Sequence, residues 1–247
     1  MTAQETPSYA HSPRFNDMSR YSMIFGVALV GVTLVALILA FFSSDFQPQG
    51  AHSVPASWSQ VYNADLTGLN DSAWDETSGC SFTALGLDAV SSGATSGQCV
   101  FLPSVKQSVT AHGFFFQTQL APASKISAFA RYAISVGAVG DNAATDGGLI
   151  HFIVGQDGKY ILCDGVCVQG TSAIYQQGGL AAWHGDALLT NTLAIKVSPD
   201  HTMLSVFVND QQIASVSTQL GPTPTIAVGT VSTSEAIFTH ATLYAGN

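Results

Sequence analysis

The stretch Tyr175–Asp186, YQQGGLAAWHGD, places two aromatic rings, two amides, an imidazole and a carboxylate within twelve residues. A saccharide is held by apolar ring faces and a few planar polar groups that fix its hydroxyls. Tyr175, Gln177, Trp183, His184 and Asp186, with Gln176 beside them, are therefore candidate ligand-binding residues. The Gly178-Gly179 pair predicts that they ride on an exposed loop. A plainer reading comes first: Trp183 plugs a core, as Trp commonly does in β-sandwiches, and the polar neighbours are loop solvation.

A second cluster, GDNAATDGG, supplies Asp141, Asn142 and Asp146, with Asp164 further along. Oxygen ligands on a Gly-rich loop can hold calcium, but the spacing is not that of an EF-hand, and an acidic turn is the simpler account. Glu76 with Asp75, or Glu235, could supply paired carboxylates for glycoside hydrolysis, which needs them about 5–9.5 Å apart across a cleft. Solvated surface carboxylates are the commoner situation. His112, His151, His184, His201 and His240 show no metal spacing. There is no G-x-S-x-G elbow and no phosphate-binding G-x-x-x-x-G-K-[ST] loop. Asn70-Asp71-Ser72 is a glycosylation sequon, meaningful only on an exported chain.

The four cysteines, Cys80, Cys99, Cys163 and Cys167, predict two disulfides in an oxidising compartment. Local pairing is expected, Cys80 with Cys99 and Cys163 with Cys167. In YILCDGVCVQG a three-residue loop would set the last two opposite each other on a hairpin. Zinc is disfavoured because C-x3-C has no companion ligand pair nearby.

These groups need a scaffold, and the chain divides into four parts. Residues 1–20 are polar, contain Pro7 and Pro13, and read as a cytoplasmic tail. Residues 21–42, YSMIFGVALVGVTLVALILAFF, carry no charge, and a helix of this length crosses about 30 Å of hydrocarbon. A cleaved signal peptide would have a shorter apolar core and a small-x-small site, where this chain has Phe41 and Phe42. Arg14 and Arg20 precede the span and no basic residue follows it before Lys106, so the bulk of the chain is expected outside the cytoplasm. Residues 43–57, rich in Pro, Gly and Ser, are expected to be a flexible linker.

Residues 58–247 form the expected ectodomain. With a net charge of −9 the chain is a poor partner for nucleic acid. About a dozen alternating runs are punctuated by turn residues. In TLAIKVS, Leu193, Ile195 and Val197 face one way and Ala194 and Lys196 the other, and MLSVFVN and QIASVS follow across an Asn-Asp turn. No helical segment of useful length follows residue 42. The pattern predicts an all-β domain of two antiparallel sheets packed face to face.

At the C-terminal end, Val206, Val208 and Asn209 match a V-x-V-N-G turn, with Asp210 in the Gly position, and Ile226-Ala227-Val228-Gly229 matches a penultimate strand. The opening VYNADLTGLNDSAWDE has an Asp-hydrophobic pair followed by a Trp. Together these resemble the concanavalin A-like lectin/glucanase group, which includes laminin-G-like domains. The resemblance implies a jelly-roll sandwich over 58–247, a glycan or glycoconjugate as ligand, and calcium as a cofactor known among such domains. It also implies a hydrolase only where a Glu-x-Asp-x-Glu strand is present, and this sequence has none. The expectation is a non-catalytic, membrane-anchored, extracytoplasmic module that binds glycans or a surface protein. Two alternatives remain: an accessory subunit of a membrane or envelope assembly, whose partners would use its charge-poor surface, and an unusual glycoside hydrolase.

Overall fold

Leu193, Ile195 and Val197 are buried on one face of a strand, as their spacing predicts, and Leu204, Val206 and Val208 join them from the next. The computed structural model describes residues 54–68, 70–75, 79–92, 97–106, 109–121, 130–137, 148–165, 167, 173–185, 189–231 and 233–246. The expected tail, membrane span and most of the linker lie outside the described residues, as do Glu76, Asp141, Asn142, Asp146 and Asp186. Among the described residues no helix is long and apolar enough to cross a membrane.

The strands in chain order are β1 (Ser59–Asp65), β2 (Trp74–Asp75), β3 (Cys80–Thr83), β4 (Gly86–Ser91), β5 (Gly97–Phe101), β6 (Phe114–Leu120), β7 (Arg131–Gly137), β8 (Leu149–Gly155), β9 (Lys159–Asp164), β10 (Ile174–Gly179), β11 (Asn191–Val197), β12 (Met203–Val208), β13 (Gln211–Ser217), β14 (Thr225–Thr230) and β15 (Ser234–Ala245). One short helix, α1 (Leu102–Lys106), follows β5. Among the described residues the first sheet runs β13-β12-β11-β6-β15-β4-β3, and the second runs β10-β9-β8-β7-β14-β5-β2. The long β15 serves two partners on one edge: Ser234–Phe238 pair with β4, and His240–Ala245 with β1. All of these pairings are antiparallel. This is the two-sheet antiparallel sandwich that the alternation predicts, in the jelly-roll-like form that the resemblance implies.

The facing sides of the sheets bury Phe114, Phe116 and Phe238 from the first sheet and Phe101, Phe152 and Ile134 from the second. The Asp-then-Trp opening has a structural job. The Trp74 indole N–H donates to the Tyr62 hydroxyl at 3.0 Å, and that hydroxyl donates to Asp71 at 2.6 Å. Both rings pack on Phe101, at centroid distances of 4.7 and 5.1 Å. Burial and the Asp71 carboxylate push the Tyr62 hydroxyl well above its ordinary pKa.

Two disulfides join the expected pairs. Cys80 on β3 and Cys99 on β5 lie 5.5 Å apart (Cα–Cα), so their bond crosses the core from one sheet to the other. Cys163 and Cys167 are also bonded. Their geometry differs from the expected tight hairpin. The residue opposite Cys163 is Ile174, so Cys167 belongs to the longer connection between β9 and β10, with φ +53°. The bond caps a second apolar cluster, of Ala133, Ile153 and Cys163, on the outer face of the second sheet.

The Asn-Asp turn between β12 and β13 has positive φ at both residues, 48° at Asn209 and 66° at Asp210. That is the requirement of a two-residue hairpin whose twist matches its strands, and Asn and Asp tolerate it best after Gly. Asn209 does more than turn the chain. Its carbonyl oxygen accepts from the Thr192 N–H at 2.8 Å, and its amide donates to the carbonyl of Ala182 and to Asn191. Asn191 in turn accepts from the His184 N–H and donates to the His184 carbonyl, both at 2.9 Å. The two asparagines pin the segment after β10 to the first sheet.

Candidate functional site

Arg131 and Lys159 each precede an inward tyrosine, Tyr132 and Tyr160, that is buried in the core. Strand alternation therefore turns both cations to the opposite, outer face of the second sheet. There β7, β8, β9 and β10 lie side by side. Ala133 is opposite Ile153, Ile153 opposite Ile161, and Ile161 opposite Gln177. The next row joins Arg131 with Gly155 and Lys159 with Gly179. A cavity of about 500 Å³ opens over these two rows. Ile153 and Ile161 line it, and Arg131, Asp157, Lys159 and Gln177 supply its polar groups.

Glycines make the room. Gly155, Gly178 and Gly179 all line the cavity. A Cβ at Gly179 would meet nothing within 4 Å, whereas one at Gly178 would come 3.2 Å from the Tyr160 ring. The Gly178-Gly179 pair was expected on a loop. It instead ends an edge strand, because β9 needs a partner and an edge tolerates residues with no side chain to pack.

Asp157 forms the turn between β8 and β9. Its carboxylate accepts from the Lys159 backbone N–H at 3.2 Å and lies 3.2 Å from the Lys159 ammonium. Desolvation opposes its ionisation, but these Lys159 contacts and the Arg131 charge outweigh it and hold the Asp157 carboxyl below its usual pKa. The group is a fixed anion at neutral pH.

The sequence-predicted ligand set is divided by the fold. Gln177 lines the cavity. Tyr175 lies on the same strand, 39 % exposed, at the bulge opposite Cys163. Trp183 goes elsewhere: half-buried, it packs on the core with its ring 5.8 Å from that of Tyr132, on the inward side of β7. It plugs the sandwich, and its indole N–H is buried with no hydrogen-bond partner among the described residues. Burial pushes the Tyr132 hydroxyl up to about 12, and that hydroxyl donates to Gln156. His184 is exposed and tied by its backbone to Asn191, with Nδ1 3.2 Å from the Thr190 carbonyl. Asp75 is on the second sheet and Glu235 on the first, so these two do not face one cleft. Glu235 has Asp88 for an acidic neighbour instead. Among the described residues no group of three or more His, Cys, Asp or Glu is placed to hold a metal.

Sequence reasoning missed Arg131, Asp157 and Lys159. Their outward direction could have been taken from the tyrosines that follow the two cations. The adjacency of β7, β8 and β9 could not. It also missed a buried pair deeper on the same face, Ser135 with its hydroxyl 2.7 Å from His151 Nδ1.

No protein-family model matches the sequence, and a search of curated proteins finds no match. Solved structures do match. Endo-1,3-β-glucanase from Streptomyces sioyaensis aligns with a TM-score of 0.55 at 11 % identity, over 79 % of this chain and 99 % of that one. The metal-free carbohydrate recognition domain of Emp46p aligns with a TM-score of 0.52 at 14 % identity, over 77 % and 99 %. A mutant Trypanosoma rangeli sialidase displaying trans-sialidase activity aligns with a TM-score of 0.51 at 13 % identity, over 77 % of this chain and 31 % of that one. The described residues of this chain thus share the two-sheet antiparallel sandwich fold of these structures, and β7 to β10 form a cavity on the outer face of its second sheet.

Proposed function

We propose that the chain is a non-catalytic glycan-binding module held on the outer side of a membrane by residues 21–42. The cavity on the second sheet carries this reading. Ile153 and Ile161 offer an apolar surface for a sugar ring, and Arg131, Lys159, Asp157 and Gln177 offer donors and acceptors for its substituents. The fold shared with a carbohydrate recognition domain supports a saccharide as the class of ligand. Asp157 is the one carboxylate among the described lining residues, and Lys159 engages it. Glycoside hydrolysis needs two, one of them free to give or take a proton, which supports binding without turnover.

A Gly179→Leu substitution tests the site. Gly179 lines the cavity, and a side chain there meets open space, so the variant should fold with an unchanged melting temperature. The full-length chain, purified in a polyoxyethylene detergent that carries no sugar, is applied to a glycan array. Wild type is expected to retain a defined set of glycans, and Gly179→Leu to lose them. Retention of no glycan by wild type, or equal retention by the variant, would sink the assignment.

A further inference from the structure

We infer that the saccharide bound in this cavity is acidic, a sugar bearing a carboxylate, with Arg131 and Lys159 as the residues that select it. The inference rests on the glycan-binding reading above and adds the substrate class. Only five Lys or Arg residues follow residue 42, against fourteen Asp or Glu, and two of the five line this one cavity. Asp157 neutralises one of them, which leaves a local charge of +1 (two cations less one carboxylate) on a chain whose net charge is −9.

The partners of the two cations decide which is available. The Lys159 ammonium is 3.2 Å from Asp157. The Arg131 guanidinium makes no hydrogen bond to any described residue, although its backbone N–H donates to the Ser234 hydroxyl. A planar fork of donors with no acceptor among the described residues matches a planar carboxylate, which it can bind through two parallel hydrogen bonds. Gln177 lies across the cavity, with both a donor and an acceptor for ring hydroxyls. A neutral sugar would displace water from the Arg131 guanidinium while only Asp157, already engaged by Lys159, offset its charge. An acidic sugar would compensate it.

The test uses oligosaccharides containing uronic acid, each paired with its carboxyl-reduced, uncharged counterpart, and sulfated oligosaccharides paired with their desulfated forms. Binding to the full-length chain is read by calorimetry. At least one uronate is expected to bind roughly tenfold or more tightly than its reduced partner, the scale of a hydrogen bond to a charged group. Arg131→Gln should erase that preference, weakening the uronate far more than its reduced partner, and leave the melting temperature unchanged. Lys196→Gln, on the first sheet beside Trp58, should change nothing. Equal affinity for acid and reduced partners in every pair overturns the inference and leaves the glycan-binding reading intact. Absence of binding to both members of every pair also overturns the inference, and the glycan-binding reading falls with it only if wild type retains nothing on the glycan array. A preference confined to the sulfated pairs, or one weakened equally by Lys196→Gln, refutes the carboxylate assignment.

Discussion

The two disulfides have the same Cα–Cα distance but different loads, and removing each in turn measures the difference. Cys80–Cys99 closes a loop of sequence separation 19, Cys163–Cys167 one of 4. If cross-links act by restricting the unfolded chain, the first contributes about 3 kcal/mol and the second about 2 kcal/mol, a gap of about 1.4 kcal/mol from loop length alone. Packing losses act in the same direction, since Cys99 and Cys163 are both fully buried but Cys80 is buried in the main core whereas Cys167 is only partly buried. The first bond has a further role: it joins β3 of one sheet to β5 of the other, while the second fastens a connection to the outside of a strand that is already paired on both edges. The Cys80→Ala/Cys99→Ala variant should therefore melt about 3–6 °C below the Cys163→Ala/Cys167→Ala variant, at about 2–4 °C per kcal/mol for a domain of this size. Differential scanning calorimetry at neutral pH, after non-reducing peptide mapping confirms the remaining bond, provides the readout. Equal melting temperatures, or the reverse order, would refute the loop-length argument and the idea that the inter-sheet bond staples the sandwich.

Two further outcomes follow from other parts of the chain. Asp88, half-buried on the outer side of β4, is held above its usual pKa by desolvation and then by the charge of Glu235, and its Oδ1 is buried with no hydrogen-bond partner among the described residues. A carboxyl whose folded pKa is raised destabilises the native state once pH exceeds the folded value, and costs nothing below the unfolded value near 3.8. Asp88→Asn should thus raise the melting temperature at pH 7 and leave it unchanged at pH 3; a gain at both pH values would show that charge is not the cause. The proposed anchor is tested by alkaline-carbonate extraction of membranes from expressing cells: the full-length chain should stay in the pellet, a chain lacking residues 21–42 should not, and release of both would dismiss the anchor.

What the sequence made legible was the periodicity of its strands, and what it hid was their neighbours. Leu193, Ile195 and Val197 announce their face because alternation is local, and Asn209-Asp210 announces a hairpin because left-handed backbone favours those residues. The twelve-residue run around Trp183 carried two readings, and the fold places Trp183 in the plainer one, against the core. Sequence proximity brought together residues that alternation and a pinned connection then separated: Gln177 to the outer face, Trp183 onto Tyr132 at the core, and His184 into the bonds of Asn191. The cavity was assembled the other way round. Arg131, Lys159 and Gln177 lie up to 46 positions apart and meet only because β7, β8, β9 and β10 run as successive antiparallel neighbours. The polar lining residues come from β7, β9, β10 and the turn between β8 and β9. For each of the two cations, the residue that fixes its direction is its inward neighbour. Tyr132 and Tyr160 commit their side chains to the core, and in doing so aim Arg131 and Lys159 at whatever fills the opposite face. A substitution that kept both cations but slipped either strand by one residue would turn that strand's cation inward, so the proposed recognition depends on the same register that closes the core.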